Sequence, residues 1–211
     1  MRKISFLLLA LVVLSFLIAL FFYPRMPEQL ASHWNSRGEV NGYMPKFWGS
    51  FLVPIILSAM IILFILIPKI DPLRKNVEKF KKHYYNFIIA LSFFMIIMQL
   101  QIALWNAGIK ISPNILIPIA LGLLFYYLGT IMQHFERNWF IGIRTPWTLS
   151  SDEVWEKTHK IGGKLFKYAA IIALLGVFFS GYAVWFVIIP VLLVVLLVFV
   201  YSYIEYQKLK K

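Results

Sequence analysis

Leu165 to Tyr203 reads LFKYAAIIALLGVFFSGYAVWFVIIPVLLVVLLVFVYSY, and whether this run is one helix or two decides how often the chain crosses a membrane. As a single helix it would be roughly 58 Å long, far more than a hydrocarbon core of about 30 Å requires. Ser180-Gly181-Tyr182 lies near its middle and offers a break, so the run predicts two spans. Four earlier runs, Ile4–Tyr23, Phe47–Ile67, Asn86–Trp105 and Pro113–Met132, are each about the 20 residues one crossing needs. The expectation is an all-α integral membrane protein with six transmembrane helices. It divides into a two-helix membrane region over residues 1–70, with an extracytoplasmic loop, and a four-helix membrane region over 71–211.

Composition narrows the class further. Hydrophobic residues make up 61% of the 211 positions and charged residues 14%, which leaves no stretch able to form a sizeable soluble domain. Arg2 and Lys3 precede the first run as in a signal peptide, but the run exceeds a usual signal core and no small-x-small cleavage site follows, so it reads as a helix. There is no cysteine, which excludes disulfides, iron–sulfur clusters and thiol catalysis.

The net charge of +12 is distributed by loop. Arg2 and Lys3, then Lys69, Arg74, Lys75, Lys79, Lys81 and Lys82, then Arg137, Arg144, Lys157, Lys160 and Lys164, and finally Lys208, Lys210 and Lys211 all fall on one side of the predicted spans. Arg25, Arg37, Lys46 and Lys110 fall on the other, and Lys167 stands just inside the fifth span. The positive-inside rule then places both termini in the cytoplasm. The basic excess is a topology signal and an attraction to the anionic lipid bilayer, with no direct nucleic-acid partner expected. Apart from Lys167 the predicted spans carry no ionisable residue, which disfavours a proton-coupled pump. Gln99 and Gln101 are their most polar groups and read first as interhelical hydrogen-bonding residues, second as substrate contacts.

Two loops hold most of the remaining information. Residues 23–46 contain two prolines at a helix exit and two glycine turns, Arg37-Gly38 and Asn41-Gly42, which favour a defined outer loop. His33, with Glu28 and Glu39, is a weak metal set lacking a second histidine at ligand spacing, and no metal or other cofactor is expected. In residues 133–164, Ser150 and Glu153 read as a capping box, so that a helix starts near Ser151 and runs toward Phe166. Trp155, His159, Gly162 and Phe166 share one face of it. Glu156-x-x-His159 has the spacing of carboxylate-bridged metal sites but lacks partners in the spans. The simpler reading is an interfacial helix, with its tryptophans at headgroup depth and Arg144 facing phosphate.

The run Asn138 to Leu149, NWFIGIRTPWTL, followed by Trp155-Glu156-Lys157-Thr158-His159-Lys160-Ile161-Gly162-Gly163, resembles the signature of the SdpI family of membrane immunity proteins. In the outer loop, Met26-Pro27, His33-Trp34-Asn35, Gly38 and Asn41-Gly42 resemble a membrane domain of uncharacterised function that often precedes it. Thr130, Gln133-His134 and Asn41 depart from the family pattern. The resemblance implies protection against an exported antimicrobial peptide toxin, and capture of a cytoplasmic helix-turn-helix repressor by the engaged membrane protein, with no catalysis. It marks Pro27, His33, Asn35, Gly38 and Gly42 outside, and Asn138, Gly142, Arg144, Thr145, Pro146, Trp147, Thr148, Trp155 and His159 inside, as candidate ligand- or partner-binding residues. A transporter or lipid-handling protein and, further off, a membrane-embedded enzyme remain the alternatives; the predicted topology sets His33 and His159 on opposite faces, which separates them as catalytic partners.

Overall fold

A computed structural model describes residues 2–210; Lys211, counted above in the charge of the tail, lies outside them. Among the described residues, six helices are long and apolar enough to cross a membrane. They are α1 (Arg2–Phe22), α2 (Lys46–Ile70), α4 (Lys81–Asn106), α5 (Pro113–Ile131), α7 (Asp152–Leu175) and α8 (Ala183–Lys208). Between them lie two strands, β1 (Gln29–Trp34) and β2 (Val40–Pro45), and two short helices, α3 (Arg74–Lys79) and α6 (Pro146–Ser150). A helix pairs its backbone internally, which is the condition for crossing hydrocarbon. Only 22–33% of each span's most apolar window is buried inside the protein, so most of its apolar surface faces outward, as a lipid-solvated bundle requires. The chain is a multi-pass membrane protein.

The Leu165–Tyr203 run does break where the sequence predicted. Helix α7 ends at Leu175, two 3-10 turns cover Gly176–Phe178 and Ser180–Tyr182, and α8 begins at Ala183. The loop over residues 23–46 folds as an antiparallel β-hairpin, with Leu30 opposite Met44 and Ala31 opposite Tyr43, within an otherwise helical fold. Two expectations are corrected. The helix expected to lie at the interface is continuous with the fifth span as α7. Its N-cap is Ser151, whose side chain accepts from Val154 N–H, and not Ser150; the capping box belongs to α6, where Thr145 and Thr148 each accept from the other's backbone N–H.

Helices α5 and α7 come closest. A Cβ added to Gly129 of α5 would sit 2.5 Å from the Gly163 carbonyl oxygen, and one added to Gly163 would sit 2.6 Å from the Gly129 carbonyl oxygen. Small residues permit this backbone approach, which supplies the van der Waals contact that holds helices together in lipid. Across the bundle, Ser15 Oγ donates to Gln99 Oε1 at 2.6 Å and Gln99 Nε2 returns a bond to the Ser15 carbonyl at 2.8 Å, joining α1 to α4 as an interhelical glutamine should. Gln101 instead donates to the Ile111 carbonyl in the loop before α5.

Gly129→Val forces backbone against backbone and is expected to destabilise the fold by about 2 kcal/mol, the usual scale of overpacking. Gly181→Val, where an added Cβ meets nothing within 4 Å, serves as the control. The monodisperse fraction after detergent extraction should fall for the first variant and not for the second.

Candidate functional sites at the two ends of the bundle

The hairpin and the 133–151 segment occupy opposite ends. The hairpin shares its end with the loops after α4 and α7, since Asn106 side-chain groups bond Ala31, and Asn114 Nδ2 donates to both the Ser36 and Ser180 carbonyls, at 3.0 and 2.6 Å. The 133–151 segment shares its end with α3, because Asn76 Nδ2 donates to the Arg137 carbonyl and Lys79 lies 3.8 Å from Glu136. His33 and His159 are therefore a bundle length apart.

At the hairpin end, the tip is built around Asn35. Its Oδ1 accepts from Arg37 N–H and Glu39 N–H at 2.9 and 3.0 Å, and its Nδ2 donates to Glu39 Oε2 at 2.8 Å. That hydrogen bond, with the Arg37 guanidinium 3.1 Å away, holds the Glu39 carboxyl below the ordinary carboxylate range. Gly38 turns the chain at φ 79°, in the left-handed region that favours glycine. His33 Nδ1 lies 2.6 Å from Asn41 Oδ1, and Gly42 opposite it leaves room for the His33 Cβ. Pro27 is exposed just ahead of β1. Beneath the tip, Trp34, Asn114, Ile117, Leu121, Val184 and Val187 line part of a cavity of about 200 Å³.

At the other end, the motif is folded from its own polar side chains. Asn138 is fully buried; its Nδ2 donates to the Glu136 and Ile141 carbonyls, both at 2.9 Å, and its Oδ1 accepts from Phe140 N–H and Ile141 N–H at 3.0 and 2.7 Å. Asp71, at the end of α2, accepts from Leu73 N–H and Trp139 N–H at 2.7 and 3.0 Å, tying the motif to the first half of the chain. His159 is equally internal. Ile143 N–H donates to its Nε2 at 2.9 Å, so the ring hydrogen resides on Nδ1, which donates to the Trp155 carbonyl at 2.8 Å. Gly142, at φ 111°, passes so close to the His159 and Trp155 rings that any Cβ would collide with them.

Thr145 and Thr148 cap α6, with Pro146 in its first turn, and Thr145 Oγ1 lies 3.0 Å from Ser202 Oγ on α8. Trp147 packs edge-on against Phe199 and Tyr203 of α8, at centroid distances of 5.0 and 5.1 Å. Trp155, expected at headgroup depth, is 2% exposed and donates through Nε1 to the Phe135 carbonyl at 2.6 Å. Burial pairs its indole with a backbone carbonyl that has no water to turn to. Arg144 differs from all of these. It is exposed, and its Nη1 donates to the Trp139 carbonyl at 2.7 Å, which aims the guanidinium without exhausting its five donors.

Several residues that build these ends were not singled out in the sequence. Asp71, Asn76 and Ser202 hold the motif, and Asn106 and Asn114 hold the hairpin. Arg137 donates to the Leu149 carbonyl at 2.8 Å, and its Nε lies 2.6 Å from Asp152 Oδ1, beside a polar cavity of about 640 Å³ bordered by Glu136, Glu153 and Glu156. His83 and His134, far apart in sequence, stack at 4.3 Å. Among the described residues, no three His, Asp or Glu side chains converge as a metal set.

Asn138→Ala removes four hydrogen bonds inside the motif and is expected to cost about 3 kcal/mol, the range for leaving buried backbone groups unpaired. Arg144→Ala removes one bond at the surface. Scanning fluorimetry in detergent should therefore show a clear drop in Tm for Asn138→Ala and none for Arg144→Ala.

The family comparison matches both ends. Residues 134–203 match the model of the SdpI/YfhL protein family, and residues 10–58 match a domain of unknown function, DUF1648. Immunity protein SdpI of Bacillus subtilis (strain 168) is 29% identical over 200 residues, covering 94% of this chain and 94% of that protein. No solved structure matches. The residue pattern read from the two loops, the two family matches and the near full-length similarity agree: this chain is similar to the SdpI/YfhL protein family over residues 134–203 and to the DUF1648 domain over residues 10–58.

Proposed function

We propose that this protein gives its cell immunity to an exported antimicrobial peptide, meeting the peptide at the hairpin end and a cytoplasmic helix-turn-helix repressor at the Arg144 end. The similarity to Immunity protein SdpI over 94% of both chains carries this reading, and by itself supports an immunity function. The geometry adds reasons for the division of labour. The hairpin presents a shaped polar tip, while the motif spends Asn138, Thr145, Thr148 and His159 on its own fold and leaves Arg144 free to engage a partner. Arg144 suits a carboxylate of a protein partner, because a planar guanidinium binds two oxygens at once. Both termini are cytoplasmic in this reading, from the charge asymmetry of the loops.

Helices α5 and α7 supply a mechanical link between the two partners. Asn114 in the first turn of α5 contacts the hairpin tip, and α7 begins in the motif with Trp155 and His159. Because the two helices touch at the backbone, displacement of one carries the other. A peptide that shifts the hairpin would thereby bias the surface around Arg144, as linkage between two sites requires.

Topology is tested on this cysteine-free chain with single cysteines at Ser36 and Ser150, both exposed. An impermeant maleimide should label Ser36→Cys in intact cells and Ser150→Cys only after lysis; the reverse pattern would invert the assignment of the ends. Function is tested by peptide challenge and by a repressor-controlled reporter, each normalised to membrane protein level. Arg144→Lys should lower the reporter response about tenfold although the charge is kept, the scale of one lost charge-assisted pair. Full response of Arg144→Ala at normal expression would remove Arg144 from the partner site.

A further inference from the structure

The two edges of the hairpin are not alike. On the β1 edge, Ala31 N–H donates to Asn106 Oδ1 at 2.8 Å and Asn106 Nδ2 donates to the Ala31 carbonyl at 3.0 Å. The carboxamide thus pairs with this edge as the main chain of a third strand would. Both main-chain groups of Ala31 consequently point away from β2. In an antiparallel pair, opposite residues alternate between exchanging both hydrogen bonds and exchanging none, and in the second kind both residues point their groups outward. Ala31 stands opposite Tyr43, so the Tyr43 N–H and C=O point out of the β2 edge.

An independent bond fixes the same alternation. Lys46 N–H donates to the Glu28 carbonyl at 2.9 Å, marking Glu28 and Lys46 as a bonded pair. Counting inward, Gln29 with Pro45 is non-bonded, Leu30 with Met44 bonded, and Ala31 with Tyr43 non-bonded. Pro45 falls where the ladder needs no N–H, as a strand proline must. Among the described residues, no side chain or loop supplies a partner to the Tyr43 main chain from outside the hairpin, and Tyr43 is 65% exposed. Phe47 and Trp48, each 50% exposed and packed edge-to-face on one another at 5.3 Å, follow in the first turn of α2.

We infer that the β2 edge is a strand-addition site whose occupant is an extended peptide, paired through its main chain to Tyr43 and resting apolar side chains on Tyr43, Phe47 and Trp48. The occupant is a peptide because an outward N–H and C=O on one residue are matched by the amide pattern that Asn106 already supplies to the opposite edge. An acyl chain offers neither a donor nor an acceptor and leaves both groups unpaired. Affinity then comes from the main chain and selectivity from alternate side chains. This inference rests on the reading that the hairpin end meets an exported peptide and names the way it does so. It places recognition on the backbone of Tyr43, whereas the family pattern marks the side chains of His33 and Asn35.

The test is amide exchange, followed by NMR, in the full chain embedded in lipid nanodiscs. The probe is a synthetic hexapeptide alternating threonine and valine, at about millimolar concentration, compared with the same peptide N-methylated at every internal residue so that neither edge can pair. The unmethylated peptide should slow exchange at Tyr43 about threefold or more, as a new hydrogen bond protects an exposed amide. The methylated peptide should leave Tyr43 unchanged, and Ala31, held by Asn106, should respond to neither. Equal protection by both peptides, or protection by neither, overturns strand addition at this edge. Because the probe is not a toxin, that result leaves the immunity reading to the challenge assay, while a normal exchange result with no protection in the challenge assay would count against the immunity reading alone.

Discussion

The backbone contact between Gly129 and Gly163 is the constraint on which both ends of this protein depend. In lipid no hydrophobic force drives helices together, and close packing must take its place. Helix α5 carries Asn114, which bridges the hairpin tip and the turn before α8, and α7 carries Trp155 and His159, around which the motif is wound. At this crossing the two main chains meet directly, and the separation of the helices there is set by main-chain atoms. Side chains can change rotamer, but backbones in contact cannot, so the two ends are held in a fixed relation.

The six spans were legible because length and hydropathy are properties of contiguous segments, and the break at Ser180-Gly181-Tyr182 is written in the residues that make it. The hairpin was less legible. Its alternation is interrupted by the irregular register at His33, and its first strand is completed by Asn106, a residue more than two spans' worth of sequence away in another helix. The capping box was misassigned by a few residues because Ser150 with Glu153 fits the Ser-x-x-Glu pattern whereas the box that forms, Thr145 with Thr148, does not; the extended dihedral angles at Ser151 then make it the cap of α7. The continuity of α7 was hidden for a different reason. Its first turns are charged on one side and its last are apolar all round, so the helix reads as two segments although its hydrogen bonds run through without a gap.

The motif illustrates how a conspicuous sequence pattern serves two purposes at once. Most of its polar residues are there because a loop buried against a bundle must pair every backbone group it brings in. Asn138 and His159 do this from within the motif, and Asp71 does it from the end of α2. From the sequence alone, Arg144 and Asn138 carry the same family resemblance; their burial separates them, one facing outward with donors to spare and the other enclosed with none.

Asn106 and Asn114 also set an order of events during synthesis. The hairpin is made before either residue, and neither its β1 edge nor its tip is secured until α4 and the start of α5 have followed it into the membrane. A two-stranded hairpin is marginal on its own in water. A nascent chain arrested after α2 would therefore hold the hairpin segment without its mature shape, and this end of the bundle would take its form only with the fourth span.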